Sequence, residues 1–290
     1  MKIYIVALPV GSIGKTAIAK HVLAAHAPQP SILSIESASP GGDEVELLSR
    51  DDERGGRILK TRLFAADGKH TTIIDSGVTD SELCAQVLTE LTEVGQLPSE
   101  MTVVIPFESG RKCASGLEKF AEKLPRAVRR VLVYNLVRGE EKGWAAALES
   151  AAGKQVADFC ASSCIEVCPM PVYYSPLLDT DSPYHMLLDG SGVAGVAGID
   201  LDALREKAAK ARGNVDAEAR LGLALDGIGF AKKALANLRA VYDYLAQDTE
   251  GGKGARPPMP SWLGCAASSS ASCLRPAIAR KPTSRKPSTR

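Results

Sequence analysis

Eight residues near the start of the chain, Pro9-Val10-Gly11-Ser12-Ile13-Gly14-Lys15-Thr16, combine side chains and spacing suited to holding a phosphate. Phosphate oxygens need many donors packed closely around them. Backbone N–H groups of a tight loop supply these, and a Cβ at Gly11 or Gly14 would obstruct the approach. Ser12 and Ile13 complete the cradle between the two glycines. Lys15 is placed to reach the β- and γ-phosphates as a point charge, and Thr16 to offer its hydroxyl to Mg²⁺. A helix opening at Lys15 turns its positive dipole end toward the same anion. The expected ligand is a nucleoside triphosphate with Mg²⁺. The standard string G-x-x-x-x-G-K-[ST] carries glycine where this chain has Pro9. A βα turn that holds Gly-Lys-Thr by chance is the alternative. Context favours the loop, because the apolar run Ile3–Leu8 precedes it and an amphipathic helical pattern (Ile18, Val22, Leu23) follows.

Three further residues fit the same chemistry. The β-rich run Lys69–Gly77, KHTTIIDSG, ends in an aspartate, the usual Walker B layout. Asp75 would hold Mg²⁺ through water beside the loop, and Gly77 would let the backbone approach the γ-phosphate. Glu36 ends a second strand-like run, where an acid can assist Mg²⁺ or the attacking water. A surface glutamate opening a turn fits the same position. Asn135 ends the run VLVYN. Its amide suits bidentate pairing with the N6 and N7 edge of adenine, or the capping of a strand before a turn. The catalytic set expected from sequence is Lys15, Glu36 and Asp75. His70 and His185 have no partner visible in the sequence and receive no role.

The elements that must position these residues alternate. Strands are expected over Ile3–Leu8, Ser31–Ser37, Met101–Phe107, Arg130–Leu136 and Ile165–Met170. Helices are expected over Lys15–Ala25, Asp43–Arg50, Ser81–Val94, Cys113–Leu124 and Gly143–Ser162. Arg57–Phe64 and Lys69–Asp75 read as a hairpin around Ala66-Asp67-Gly68. Such alternation predicts an α/β fold of the P-loop NTPase type, a mostly parallel sheet flanked by helices. The expected organisation is a nucleotide-binding α/β domain over 1–175 and a helical C-terminal extension over 176–247 packing on it. A basic, disordered tail follows over 248–290. The helix expected over Ala217–Gln247 is long, with Gly222, Gly227 and Gly229 as its weak points.

Composition is that of a globular protein, with 45% hydrophobic and 24% charged residues in a chain of 290. No apolar stretch is long enough to cross a bilayer, and the N-terminus lacks a signal-peptide shape, so the cytoplasm is the expected compartment. The formal net charge of +1 hides an asymmetry. Residues 251–290 hold eight of the 35 basic residues and none of the 34 acidic ones. That tail is either a solvated, low-complexity end or a nonspecific contact for nucleic acid. Cys160, Cys164 and Cys168 recur every fourth residue. Their spacing differs from a C-x₂-C zinc knuckle and no histidine lies nearby, so they read as buried small residues.

The order of motifs, VGSIGKT, IES, IIDSG, VVIPF and VLVYN, resembles the ParA/MinD branch of P-loop ATPases and, within it, the StbB plasmid-stability family. The resemblance covers about Met1 to Pro171. Gly11, Gly14, Lys15 and Thr16 agree with the deviant loop K-G-G-x-G-K-[ST], while Val10 stands at its first lysine and Ser12 at one glycine. That lysine reaches the phosphates of a dimer partner in the family. The resemblance implies an ATPase-like protein acting in plasmid stability, segregation or positioning and conjugative transfer, and with no strong general base evident in the sequence any turnover is expected to be slow. It also implies a DNA-binding partner from the same operon, and a homodimer. Two other readings stay open from the residues themselves. One is a nucleotide-binding adaptor without hydrolysis, which Pro9 and Val10 favour. The other is a P-loop metabolic ligase or kinase, which would need polar substrate residues near the loop.

Overall fold

Short runs of β-branched and other apolar residues form the centre of the protein. In the computed structural model, strand β1 (Ile3–Val6) is buried on both faces. Ile3 and Ile5 enter one layer of core, and Tyr4 and Val6 the other. A near-continuous apolar run is what a parallel strand covered by helices on both sides requires. The structure describes residues 2–35, 45–46, 53–64, 70–98, 100–108, 111–136, 151–173, 175–179, 182–188 and 192–247. Met1–Gly254 groups as one unit and Ala255–Arg290 as another, and the second lies outside the described residues.

The other strands are β2 (Pro30–Ile35), β3 (Val45–Glu46), β4 (Thr71–Ser76), β5 (Met101–Phe107), β6 (Arg129–Tyr134) and β7 (Glu166–Val167). They form one seven-stranded sheet in the order β3-β2-β4-β1-β5-β6-β7. Every neighbouring pair is parallel. The architecture is therefore an α/β sheet of the P-loop NTPase type, with the loop strand β1 at its middle. The parallel order carries all strand ends of one kind to one edge, so the loop after β1 meets the ends of β4, β5 and β6 there.

Helices cover both faces. Helix α2 (Glu53–Phe64), α3 (Asp80–Glu93), α4 (Arg111–Lys123) and α5 (Ala151–Ser162) bury Leu63, Val87, Phe120 and Cys160 on one side. On the other side lies α1, an α-helical turn Lys15–Ala17 that continues as a π-wound segment Ile18–Ala24. It is joined there by α6 (Gly192–Ala197) and the C-terminal part of α8 (Val215–Leu245), while α7 (Leu201–Ala211) packs against α8. Leu238, Val241 and Leu245 of α8 are essentially inaccessible. Each such side chain contributes about 1.5–3 kcal/mol by leaving water, which fixes this half of α8 to the sheet. The other half, from Val215 to Asp226, contains no buried residue.

Two expectations are corrected. Arg57–Phe64 is helical, not a hairpin arm, and β4 pairs in parallel with β1 and β2. Leu59 and Leu63 are buried apolar side chains of α2, and their four-residue spacing is a helical stripe rather than strand alternation. The turn proposed at Ala66-Asp67-Gly68 lies outside the described residues. Within the helix expected over Asp43–Arg50, Val45–Glu46 is an edge strand paired with Ser34 and Ile35. The helix α8 runs unbroken through Gly222, Gly227 and Gly229.

Candidate nucleotide-binding site

The chain leaves β1 at the carboxyl edge of the sheet. Ala7 N donates to Val104 O at 3.1 Å, and Val10 N to Leu8 O at 2.7 Å. Two left-handed residues then fold the loop, Ser12 at φ 58° and Gly14 at φ 76°. Gly14 is the more constrained. A Cβ there would overlap the amide nitrogen of Asn135, in addition to the left-handed backbone. At Gly11 a Cβ would rest 3.7 Å from Val78 Cγ2, an ordinary contact, and this exposed residue does not line the cavity below. Gly14 is thus the glycine at which the protein's own packing, through Asn135, leaves no room for a Cβ. Val10 is buried against α4, where a Cβ on Gly116 would sit 2.6 Å from Val10 Cγ2. The position that carries lysine in the deviant loop is thus a core position here.

Gly14 precedes the first helical residue, and no side chain caps the helix. The first intrahelical bond runs from Ile18 N to Gly14 O at 3.0 Å. An uncapped helix start leaves its first-turn amides available to an anion. Lys15, only 8% exposed, donates from Nζ to Val10 O at 2.7 Å and to Leu8 O at 3.1 Å. Its ammonium lies back over the loop's own carbonyls, bonds that a phosphate would replace.

Register brings in the aspartate. Asp75 pairs with Val6, the last residue of β1, and is buried at the base of the loop. Ser76 Oγ donates to Val6 O at 2.9 Å and lies 2.9 Å from Ser81 Oγ. Ser81 Oγ donates to Gly77 O at 2.9 Å, and Gly77 N to Ile35 O at 2.6 Å. These bonds fix the turn after β4 between β1, β2 and α3. Asn135 Nδ2 donates to Ile13 O at 2.8 Å, so this amide ties the end of β6 to the phosphate loop. Its backbone N–H donates to Phe107 O at 2.8 Å.

A cavity of about 600 Å³ unites Ser12, Ile13, Gly14, Lys15, Thr16, Asp75 and Asn135. That size falls within the range for nucleotide-sized ligands. Glu36 lies outside the described residues, although Ser34 and Ile35 just before it line the cavity. Sequence reasoning missed Lys20, His21, Glu108 and His185, all of which also line it. Lys20 and His21 follow Thr16 by about one turn of α1, a spacing that was available. His185 is delivered by a 3₁₀ turn, His185–Leu188, where its Nδ1 lies 2.9 Å from Leu177 O. No sequence signal connects it with the loop. Burial, then His185 and Lys20, push His21 down to about 4, so it is neutral at pH 7.

The donor set suits Mg²⁺. The hydroxyl residue Thr16 and the carboxylate of Asp75 line one cavity and are hard oxygen ligands. Among the described residues there is no group of three His, Cys, Asp or Glu that would form an all-protein metal cage. Mg²⁺ commonly takes one or two protein oxygens and completes its shell with phosphates and water. Of the three closely spaced cysteines, Cys160 and Cys168 are buried and Cys164 is exposed, which corrects the expectation of burial for Cys164. Burial pushes the thiols of Cys160 and Cys168 up to about 12.

No helix among the described residues is long and apolar enough to cross a membrane. No protein-family model matches the chain, and no curated protein matches it. Among solved structures, it is similar to a Cyanothece McdA variant in complex with ATP. The identity is 16% and the TM-score 0.43, over 79% of this chain and 97% of that one.

Proposed function

We propose that this chain is a nucleotide-dependent switch of the ParA/MinD type, binding ATP with Mg²⁺ and acting in the cytoplasm in plasmid stability, segregation or positioning and conjugative transfer. The observation that carries ATP binding is the convergence of an uncapped helix start, Lys15 and Asp75 at one cavity on the carboxyl edge of the sheet. The plasmid role, the DNA-binding partner and the homodimer rest on the motif resemblance to the StbB family. Loop amides around Gly14 and the Lys15 ammonium would hold the β- and γ-phosphates. Thr16 and Asp75 would hold Mg²⁺, which supplies neutralisation of the phosphate charge. Asn135 tethers the loop by donating to the Ile13 carbonyl.

Burial of Val10 favours a second reading, a nucleotide-binding adaptor that hydrolyses nothing, because the lysine that completes a partner's site is absent. Calorimetric titration with Mg·ATP, comparing wild type with Lys15→Ala, tests the common core of both. The variant should bind at least tenfold more weakly. Equal, negligible binding by both proteins would end both readings. Phosphate release then separates them, with slow turnover expected of the switch and none of the adaptor. Capture of partner proteins with ATP, ADP or no nucleotide tests the switch itself, and capture indifferent to nucleotide would count against it.

A further inference from the structure

A second concavity, of about 540 Å³, opens where β1, β5 and β6 begin. Parallel pairing makes this the amino edge of the sheet, opposite the phosphate loop, and the two cavities share no lining residue. Four basic side chains line it, Lys2, Arg126, Arg129 and Arg130, against the two acidic ones, Glu100 and Glu166. Their bonding differs. Arg129 Nη2 pairs with Glu166 Oε2 at 2.9 Å, while Nη1 donates to the carbonyls of Leu245 and Gln247 at 2.8 and 3.1 Å. Lys2 Nζ donates to the carbonyl of Ala246. Arg126 is exposed at the rim.

Arg130 is the exception. It is 3% exposed. Its Nη2 donates to Ser163 O at 2.6 Å, and its Nε is buried with no hydrogen-bond partner. Among the described residues no carboxylate pairs with it. A guanidinium keeps its proton in a protein, so burial leaves a full positive charge facing one neutral carbonyl. Buried charges are ordinarily paired, because an uncompensated one is strongly disfavoured. Arg126, on the same rim, adds a second positive charge rather than a counter-ion.

We propose that this depression binds an oxyanion, a carboxylate or phosphate group of a small ligand, which acts as the counter-ion of Arg130 between it and Arg126. The planar fork of a guanidinium matches either group bidentately. The site is separate from the ATP cavity and stands whether or not that cavity binds nucleotide.

The test uses the full chain carrying Lys15→Ala, which removes phosphate binding at the loop from the signal. Inorganic phosphate and malonate are titrated separately by calorimetry at constant ionic strength. Binding of either supports the site and names its chemistry, and binding of neither overturns it. Adding Arg130→Gln should weaken the bound anion at least tenfold, and unchanged affinity in that variant overturns the assignment. Should Arg130→Gln fail to fold, Cys164 provides a second readout, because this exposed thiol lines the same cavity. Saturating anion should slow its alkylation by iodoacetamide at least threefold, read on its own peptide by mass spectrometry. An unaltered rate would refute occupancy.

Discussion

Gly14 and Asn135 form a coupled pair at the heart of the loop. Gly14 needs a left-handed backbone, and the space a Cβ would take is filled by the amide that donates to Ile13 O. Gly14→Ala therefore carries a backbone term of about 1–2 kcal/mol plus the displacement of Asn135. Asn135→Ala leaves the buried Ile13 carbonyl short of a donor, at about 1–3 kcal/mol. The double variant should lose less stability than the two single losses combined, because the overlap disappears with the amide while the backbone strain stays. Urea denaturation of the four proteins checks this, and strict additivity would show that the amide merely swings aside. Asn135→Asp should harm Mg·ATP affinity more than Asn135→Ala does, since it sets a carboxylate against both the Ile13 carbonyl and the phosphates. At this scale the sequence was readable where chemistry is local. Gly14, Lys15 and Thr16 are contiguous, and Asp75 and Asn135 end apolar runs that could only be strands. His185 and Glu108 were not readable, because their place in the cavity depends on packing between distant segments.

Helix α8 shows how a local preference yields to tertiary contact. Three glycines would weaken an isolated helix, yet it runs unbroken from Val215 to Leu245 because its second half is buried on the sheet. The three are not equivalent. A Cβ on Gly222 or Gly229 meets nothing within 4 Å, whereas one on Gly227 would overlap Leu187 Cδ1. Gly222→Ala and Gly229→Ala should each raise stability by about 0.5–1 kcal/mol. Gly227→Ala should forfeit that gain, because Leu187 must move, and Leu187 belongs to the turn that carries His185. Thermal melts of the three variants decide it, and an equal gain at all three positions would mean that Leu187 adapts freely. The same competition explains which elements could be read in advance. Strands β1 and β5 and the Val131–Tyr134 part of β6 are buried on both faces and leave a near-continuous apolar signature. Helix α2 shows only Leu59 and Leu63 to the core, beside exposed Ile58 and Phe64, and that mixture imitates strand composition. Strand β3 is two residues long and has no period to detect.

Across the whole molecule, burial of His21 links stability to pH. An unfolded histidine titrates near 6.5, and this one is held down to about 4 by burial, by His185 and by Lys20. Between those values the unfolded chain binds a proton that the folded chain refuses. Stability should therefore rise with pH across that window, by up to about 3 kcal/mol, and this contribution should be flat above 6.5. Acidic groups add a slope of the same sign near and below pH 4, Glu90 among them, since its hydrogen bonds from Lys60 and Gln86 lower it. The discriminating measurement is the unfolding free energy at pH 5 and pH 7 for wild type and His21→Gln. Loss of most of the difference in the variant is expected, and an unchanged difference would assign the slope elsewhere. The same histidine reports on the ligand. A triphosphate in the cavity shared by Lys15, Lys20, His21 and His185 places negative charge where the Lys20 ammonium now opposes protonation. Binding of Mg·ATP at pH 5.5 should then raise the His21 pKa and be accompanied by proton uptake. Calorimetry in buffers of different ionisation enthalpy measures this uptake directly, and His21→Gln should diminish it.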